Sequence, residues 1–78
     1  MASAALTVGH AIKESLKRKE LTQDVLSSLA GLDRTHYSKI ERGLRSPNID
    51  SLFKILAALD IKPHELMIEI ERYVSHKE

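Results

Sequence analysis

Residues 22–43 read TQDVLSSLAGLDRTHYSKIERG, and they contain the clearest structural pattern of the chain. Thr22 is a favourable N-cap for a helix over residues 23–30, and Gly31 can adopt the left-handed conformation that ends a helix. Asp33 is a second N-cap, so another helix is predicted from residue 34 to about residue 42, before Gly43. The connection between the two helices is only about three residues long, which forces them to cross steeply.

The steep crossing needs a small side chain where the backbones meet and apolar anchors on the two inner faces. Ser27 meets the first requirement. Val25 and Leu29 are expected to be buried by the first of the two helices. The proposed anchors of the inner faces are Leu26, Ala30, Leu32, Tyr37 and Ile40. Taken together, these residues at these offsets predict a helix-turn-helix pair.

Three more helices are predicted around this pair, and no strand, because no segment alternates with period two. The first follows the N-cap Thr7 and runs to about Lys19, which leaves residues 1–6 as a flexible N-terminus. The other two are predicted over residues 49–59, after Asn48, and over residues 63–74, with Pro63 at the first helical position. The predicted fold is all-α, a compact single domain of five helices over residues 7–78.

Composition excludes several classes of protein. A chain of 78 residues with 42% hydrophobic and 29% charged residues fits one small globular domain. It has no Cys, and none of its four His lies at metal-ligand spacing, so neither a disulfide framework nor a metal site is predicted. There is no apolar run near ~20 residues for a membrane span. No phosphate-cradling Gly-rich loop or Gly-flanked Ser nucleophile is present, so we expect no enzyme activity, cofactor or small-molecule ligand.

Charge is unevenly distributed although the net charge is only +1. Residues 34–46 contain four bases and one acid, a local charge of +3, whereas residues 60–78 contain five acids and three bases, a local charge of −2. A basic centre beside an acidic tail is typical of a small nucleic-acid binder with a separate second face. An ordinary solvated surface of mixed charge is the alternative interpretation.

The second helix of the predicted pair supplies the candidate base-reading face. If Tyr37 and Ile40 point inward, the opposite face carries polar side chains that can hydrogen-bond to base edges in a major groove. This candidate base-contacting set is Arg34, Thr35, His36, Ser38 and Lys39. A second set is placed to contact the DNA backbone through side chains and helix N-termini. This candidate backbone-contacting set is Gln23, Arg42, Arg45, Ser46 and Asn48.

The final helix carries more apolar residues on one side than a thin core needs. Part of that stripe should cover the neighbouring helices, and the remainder, within residues 63–78, is a candidate dimer surface. The candidate interface residues are Leu66, Met67, Ile70, Tyr73 and Val74. Ile68 lies off this face and is expected to be exposed. The alternative is that the helix only folds back on its own monomer.

Residues 22–66 resemble the lambda-repressor-like (Cro or XRE) helix-turn-helix domain, and the resemblance extends more weakly to residue 8. Its most specific parts are Leu21-Thr22-Gln23, Ile40-Glu41-Arg42-Gly43 with Pro47 following, and the segment 52–59. The segment 32–42 is similar to the controller proteins of bacterial restriction–modification systems. The resemblance implies that Gln23 clamps a phosphate, that residues 34, 35, 38 and 39 read bases, and that residues 42–48 line the DNA backbone.

Two positions depart from the family pattern. The family usually has an Arg late in the first helix that pairs with the Glu at position 41, and here that position is Leu16. Glu41 therefore needs another partner, such as a neighbouring base or water. The usual Gly after the first helix is replaced by Glu20.

We expect from these observations a sequence-specific transcriptional regulator that binds double-stranded DNA as a homodimer on a palindromic operator. A restriction–modification controller protein is the most specific form of this expectation, with a location in the bacterial cytoplasm, associated with the nucleoid. Its activity would follow its own concentration through the monomer–dimer equilibrium. The alternative is an antitoxin-like or other protein-interaction module that retains the fold without DNA, which the basic cluster disfavours because partner-binding faces are more apolar.

Overall fold

Five helices follow one another in the computed structural model, which describes the backbone of residues 4–77 and the side chains of residues 4–75. They are α1 (Ala4–Arg18), α2 (Gln23–Ala30), α3 (Arg34–Glu41), α4 (Ile49–Leu59) and α5 (Pro63–Lys77). No strand occurs within residues 4–77. The predicted all-α fold of five helices is confirmed.

The caps of α2 and α3 form as the residue types predict. Thr22 Oγ1 accepts a hydrogen bond from the Val25 amide at 3.2 Å. Asp33 Oδ2 accepts from the amides of Thr35 and His36 at 3.1 and 3.2 Å. Gly31 has φ +71° and ends α2 in the left-handed conformation. These local interactions determine where the two helices stop and start, and therefore how they cross.

The core lies between the helix-turn-helix pair and the layer formed by α1, α4 and α5. Tyr37, Ile40 and Leu26 are fully buried, as predicted, and Ser27 and Ala30 are buried with them. Leu32 packs against the core while remaining partly exposed. The other members of the core are Ala11, Ile12, Leu16, Ile55, Leu56, Leu59 and Leu66.

The prediction that α2 buries Val25 and Leu29 is wrong, because both are exposed. The helix carries two adjacent stripes at i, i+4 spacing, one formed by residues 25 and 29 and the other by residues 26 and 30. Only the second stripe, together with Ser27, faces the core. Periodicity identifies both stripes as apolar but does not say which one the neighbouring helices cover.

The predicted start of α1 at Thr7 is also wrong, since the helix begins at Ala4 and Thr7 is buried within it. Residues 4–6, predicted to be flexible, are therefore helical, whereas residues 1–3 lie outside the described residues. The additional turn brings Leu6 against Gly43, where a Cβ would lie 2.8 Å from Leu6 Cα. The first turn of α1 thus covers the connection between α3 and α4.

Two non-glycine residues adopt left-handed backbone conformations at the ends of helices. Glu20, at the position where the family usually has Gly, has φ 56°, and Asp60 after α4 also has φ 56°. This conformation is unfavourable for residues with a Cβ, least so for Asp and Asn. The chain reversal after α1 is therefore imposed on Glu20 by the packing of the helices on either side.

The last helix is longer than predicted, and some of its apolar residues are buried while others are exposed. α5 continues to Lys77 rather than ending at about Val74. Its N-terminus is capped by the Glu65 carboxylate, which accepts from the Lys62 amide at 2.9 Å and compensates for a poor N-cap residue. Leu66 is buried in the core and Ile70 packs against it, so α5 is tied to α1 and α4.

Candidate nucleic-acid interface

The outer face of α3 presents the predicted base-contacting set. Because Tyr37 and Ile40 are fully enclosed on the inner side, Arg34, Thr35 and Lys39 are exposed on the outer side. His36 and Ser38 lie at the flanks and are half-buried. α5 packs on α1 and α4, which leaves this face of α3 open. A helix with this pattern can lie in a major groove, whose width admits one helix.

The backbone-contacting set surrounds that face on α2 and on the α3–α4 connection. Arg42, Arg45, Ser46 and Asn48 are exposed and Gln23 is half-buried. Asn48 also caps α4, since its Oδ1 accepts from the Ser51 amide at 2.7 Å. Its side-chain amide nitrogen is therefore the group left for a phosphate oxygen.

Arg34 is held against the start of α2 by two side chains. Its Nη1 lies 3.0 Å from Asp24 Oδ1, and its Nη2 donates to Gln23 Oε1 at 3.4 Å. The guanidinium is not turned inward, because the Arg34 side chain remains 57% exposed. The side chain predicted to read a base is thus accessible but already engaged in an ion pair.

Gln23 is the partner of Glu41, in place of the Arg that the family usually has at the position of Leu16. Gln23 Nε2 donates to Glu41 Oε1 at 2.9 Å, so the side chain predicted to clamp a phosphate also satisfies a buried carboxylate. The second oxygen, Oε2, and the Tyr37 hydroxyl are both buried without a hydrogen bond to any side chain or backbone group of the described residues. Glu41 therefore links the core to the exposed face through Gln23.

Burial raises the pKa of Tyr37 far above its usual range, and the neighbouring Glu41 carboxylate raises it further. The two groups influence one another electrostatically without reaching the geometry of a hydrogen bond. The Tyr37 hydroxyl therefore stays protonated beneath the outer face of α3.

The surface charge of this region is more positive than the sequence sum indicates. Its one acid, Glu41, is buried, whereas all four bases are exposed. Away from this region, Glu69 on α5 pairs with Arg18 on α1 and with Arg72 on its own helix. A positive potential therefore faces outward from α3 and the connection that follows it.

The predicted dimer surface is only partly available. Leu66 is 2% exposed within the monomer, so its assignment to the interface is wrong. It lies on the side of α5 that faces α1 and α4, which also holds Ile70 against the core. Met67 and Val74 are exposed, and Tyr73 is half-buried with its ring centroid 4.1 Å from that of His10.

Two residues that matter here were missed by sequence reasoning. Asp24 pairs with Arg34 across the helix crossing, a contact between side chains ten positions apart that no helical period indicates. Gly9 allows α1 to approach α3, because a Cβ there would lie 2.6 Å from the Ile40 carbonyl oxygen and 2.7 Å from that of Glu41. An isolated Gly inside the first turn of the predicted helix was the available signal for this close approach.

Other kinds of site find little support in the described residues. Within residues 4–77, no group of three or more potential ligands from His, Cys, Asp and Glu could hold a metal ion. In the same part of the chain, no helix has both the length and the apolarity that crossing a bilayer requires.

Comparison with known proteins supports the resemblance to controller proteins. The control protein C.MunI of Mycoplasma sp is 40% identical over 65 residues, which span 82% of this chain and 88% of that protein. The controller protein C.AhdI of Aeromonas hydrophila matches with 37% identity and a TM-score of 0.76, over 80% of this chain and 94% of that one. The controller protein C.Esp1396I matches with 28% identity and a TM-score of 0.90, over 97% and 99% of the two chains. The helix-turn-helix family model matches residues 12–66, and this chain belongs to that family, of the Cro/XRE type.

Proposed function

We propose that this protein is a transcriptional regulator that binds double-stranded DNA sequence-specifically, and that it is a controller protein of a restriction–modification system. The observation that carries the proposal is the outer face of α3. Its inner residues Tyr37 and Ile40 are fully buried while Arg34, Thr35 and Lys39 are exposed beside a basic connection. Similarity to proteins described as restriction–modification controllers supports the specific role.

In the proposed complex α3 lies in the major groove. Arg34, in the first turn, is suited to a bidentate contact with guanine O6 and N7, and the Thr35 methyl group is suited to a thymine methyl. Ser38 and Lys39 lie about one turn further along the helix and His36 lies at its flank. One side chain can contact more than one kind of base, so the operator sequence has to be determined by experiment.

Phosphate contacts would position the domain on the duplex. Arg42 and Arg45 supply charge, Ser46 and Gln23 supply hydrogen bonds, and the Asn48 amide adds a donor at the start of α4. Two cationic contacts per protomer give about four in a dimer, for which the slope of log affinity against log salt is about −3.6. Affinity should therefore fall steeply as salt is added.

Homodimerisation on a palindromic operator is part of the proposal, with two exposed apolar surfaces able to support it. One is the outer side of α5, where Met67, Ile68 and Val74 are exposed. The other is the exposed side of α4, where Ile49 and Phe53 are one turn apart. Sedimentation equilibrium of Met67→Glu and Phe53→Glu distinguishes them, because a charge at the centre of an interface should weaken dimerisation by about ten-fold or more.

Selection of bound duplexes from a random pool tests the function. A palindromic consensus should emerge with half-sites about one helical turn apart. On that operator Arg34→Ala should cost about 1–3 kcal/mol and relax the preference at one base pair. Arg45→Ala should instead weaken all sequences alike and flatten the salt dependence. No enriched sequence and no retarded complex at low salt would contradict the proposal.

The controller role has its own test, since DNA binding alone does not establish it. The selected site should occur upstream of the gene for this protein or of an adjacent endonuclease gene. A reporter joined to that upstream region should respond to the wild-type protein and not to Arg34→Ala. The bacterial cytoplasm, with association with the nucleoid, is the location that this role requires.

A further inference from the structure

The connection between α3 and α4, residues 42–48, carries most of the proposed phosphate contacts, and the first turn of α1 packs against it. A Cβ built on Gly43 would lie 2.8 Å from Leu6 Cα and 3.0 Å from Leu6 Cγ. We propose that Leu6 is a positioning residue for DNA binding: by packing on Gly43 it fixes the connection where Arg45 and Ser46 reach phosphates. This inference rests on the proposed binding of DNA.

The turn that ends α3 has the hydrogen bonds of a Schellman motif. The Gly43 amide donates to the Ile40 carbonyl oxygen at 3.0 Å, and the Leu44 amide donates to that of Lys39 at 2.9 Å. In this motif the residue after the glycine commonly packs on the helix position that accepts its hydrogen bond. Here that position is the charged Lys39, and Leu44 is 67% exposed. The apolar packing on this turn therefore comes from α1, through Leu6.

The turn that ends α2 has the same hydrogen bonds but is held in another way. The Gly31 amide donates to the Ser28 carbonyl oxygen at 3.1 Å, and the Leu32 amide donates to that of Ser27 at 2.9 Å. Gly31 and Gly43 are both left-handed, with φ of +71° and +77°. Leu32 packs against the core, and a Cβ on Gly31 would point into open space. The two turns thus share their backbone geometry and differ in their packing, which makes the α2 turn a matched comparison.

The helix that carries Leu6 is itself fixed against α3. Three residues after Leu6, a Cβ on Gly9 would lie 2.6 Å from the Ile40 carbonyl oxygen, and Thr7 between them is buried. Residues three apart lie on the same face of a helix, so Leu6 and Gly9 pack on successive parts of the chain where α3 ends. Because α1 cannot withdraw without losing the contact at Gly9, its position determines that of Gly43.

The phosphate contacts depend on where the backbone lies after Gly43. Arg45 and Ser46 are exposed, two and three residues further along the chain. The Ser46 side chain is short, and its hydrogen bond to a phosphate needs an oxygen–oxygen distance of about 2.5–3.0 Å. Arg45 has a longer reach, but ordering a mobile segment on binding costs conformational entropy, which a connection fixed in advance avoids. Phosphate contacts carry no sequence information, so Leu6 should affect all duplexes alike.

Hydrogen exchange in the free protein tests whether Leu6 holds the turn. Leu6 is 47% exposed, so Leu6→Ala removes about half of the packing of a fully buried leucine. Exchange of the Leu44 amide should accelerate about five-fold. The Leu32 amide, which has the same place in the α2 turn, should exchange as before. Leu6→Met, which keeps an apolar side chain of similar volume, should behave as the wild type.

A double-mutant cycle on DNA tests the consequence for binding. Gly43→Ala places a methyl group against the backbone of Leu6, so the connection must shift. The contact variant Arg45→Ala/Ser46→Ala removes the two phosphate contacts. Wild type, Gly43→Ala, the contact variant and their combination are titrated at several salt concentrations, on the selected operator and on a scrambled duplex.

The contact variant should have a large effect only where the connection is correctly placed. In the wild-type background it should lower both affinities about ten-fold per protomer and flatten the salt slope by about 0.9 per protomer. In the Gly43→Ala background the same substitutions should lower affinity about two-fold or less. Leu6→Ala is the milder change, and it should reduce the effect of the contact variant in the same direction.

Gly31→Ala is the matched control, because it adds the same methyl group in the same backbone conformation without meeting a neighbour. It should leave the effect of the contact variant and the salt slope unchanged. A loss of folded protein would lower affinity without altering either quantity, so the two readouts separate positioning from stability. The ratio of operator to scrambled affinity should stay at the wild-type value in Gly43→Ala and Leu6→Ala. Circular dichroism melting identifies a temperature at which every variant is folded.

The inference is overturned if Leu6→Ala leaves exchange of the Leu44 amide unchanged, because the turn is then held without Leu6. That result needs no DNA, so the proposed function still stands. The inference is also overturned if Gly43→Ala and the contact variant lower affinity additively, since the phosphate contacts then do not depend on the packing at Gly43. If the wild type binds neither duplex, the proposed function fails and the inference falls with it.

Discussion

The helix-turn-helix pair and the layer that supports it are determined in different ways. In residues 22–42 each cap and turn residue favours the conformation it adopts, as the hydrogen bonds of Thr22 and Asp33 and the left-handed Gly31 show. In the layer of α1, α4 and α5, Glu20 and Asp60 are left-handed without being Gly, and the end of α1 is joined to the middle of α5 by the Arg18–Glu69 ion pair. The first region follows local preferences, whereas the second is imposed by packing between distant segments.

This contrast explains why the outer face of α3 is held rigidly. α3 is begun by its own N-cap and is anchored from within by Tyr37 and Ile40. The supporting layer can therefore tolerate local strain without moving the side chains that face outward. Substitutions in the layer should change the free energy of unfolding more than DNA recognition.

Gly9→Ala should give the largest loss of stability, because it breaks the contact between the layer and the pair. The added methyl group would meet the Ile40 and Glu41 carbonyl oxygens at 2.6 and 2.7 Å, so α1 must move away from α3. We expect a cost of about 3 kcal/mol in urea unfolding. Gly31→Ala is the comparison within the pair: the space around it is open, and only its φ of +71° is unfavourable, so about 1 kcal/mol is expected. If both substitutions lowered the free energy of unfolding equally, the steric explanation for Gly9→Ala would be wrong.

Alkaline pH should weaken the core beneath α3 through Tyr37. In the folded protein the pKa of Tyr37 is raised, mainly by burial and secondly by Glu41. The contribution of Tyr37 to the free energy of unfolding is therefore fully present below its unfolded pKa of ~10 and is lost as pH rises through the folded pKa. The expected loss is about 1.4 kcal/mol for each pH unit above ~10. Tyr37→Phe should remove this part of the decline in thermal melts between pH 10 and 11.5, and Tyr73→Phe should not. At neutral pH the loss of a buried, unbonded hydroxyl should be nearly neutral.

Glu20→Gly should stabilise the protein by relieving the strained reversal after α1. Glu20 has φ 56° and is exposed, so its side chain has little packing to lose. The gain should be about 1 kcal/mol. Asp60→Gly, at the same φ, should gain less, because Asp tolerates the left-handed region better than Glu. A loss of stability in Glu20→Gly would show that the reversal is not strained.

Glu69→Gln should have the smallest effect. The Arg18 guanidinium lowers the pKa of Glu69, so this contribution to stability is present above the ordinary Glu range near ~4.3 and is lost as pH falls through the lower folded value. Because Arg18 is more than half exposed, the pair is worth about 0.5 kcal/mol at neutral pH. The difference between variant and wild type should vanish in acid unfolding, and Glu71→Gln, exposed nearby, should show no such difference.

The two regions also differ in how far the sequence predicted them. The bounds of α2 agree with the prediction, and those of α3 and α4 agree to within one residue, because Thr22, Asp33 and Asn48 act through their own backbone neighbours. The start of α1 was wrong because Thr7 lies inside the helix and is buried rather than capping its N-terminus. The assignment of Leu66 failed because an apolar stripe on α5 does not reveal which of its members the monomer itself covers.

The candidate site was predicted in its outward residues and not in the contacts among them. The exposure of Arg34 and Lys39 follows from the burial of Tyr37 and Ile40 on the other side of one helix. The pairing of Arg34 with Asp24, and of Gln23 with Glu41, depends on the crossing of two helices. To predict side-chain contacts between two crossing helices, one needs the crossing angle and the offset of the helices. The length of the turn only limits the range of these two quantities.

The turn between α2 and α3 offers a position for a mirror-image amino acid. Gly31 has φ +71°, a backbone conformation that L-amino acids rarely adopt. D-alanine prefers this region of φ, so in a chemically synthesised chain it would narrow the unfolded ensemble while matching the native backbone. A D-residue could thus stiffen the connection between α2 and α3 without altering any side chain on the outer face of α3.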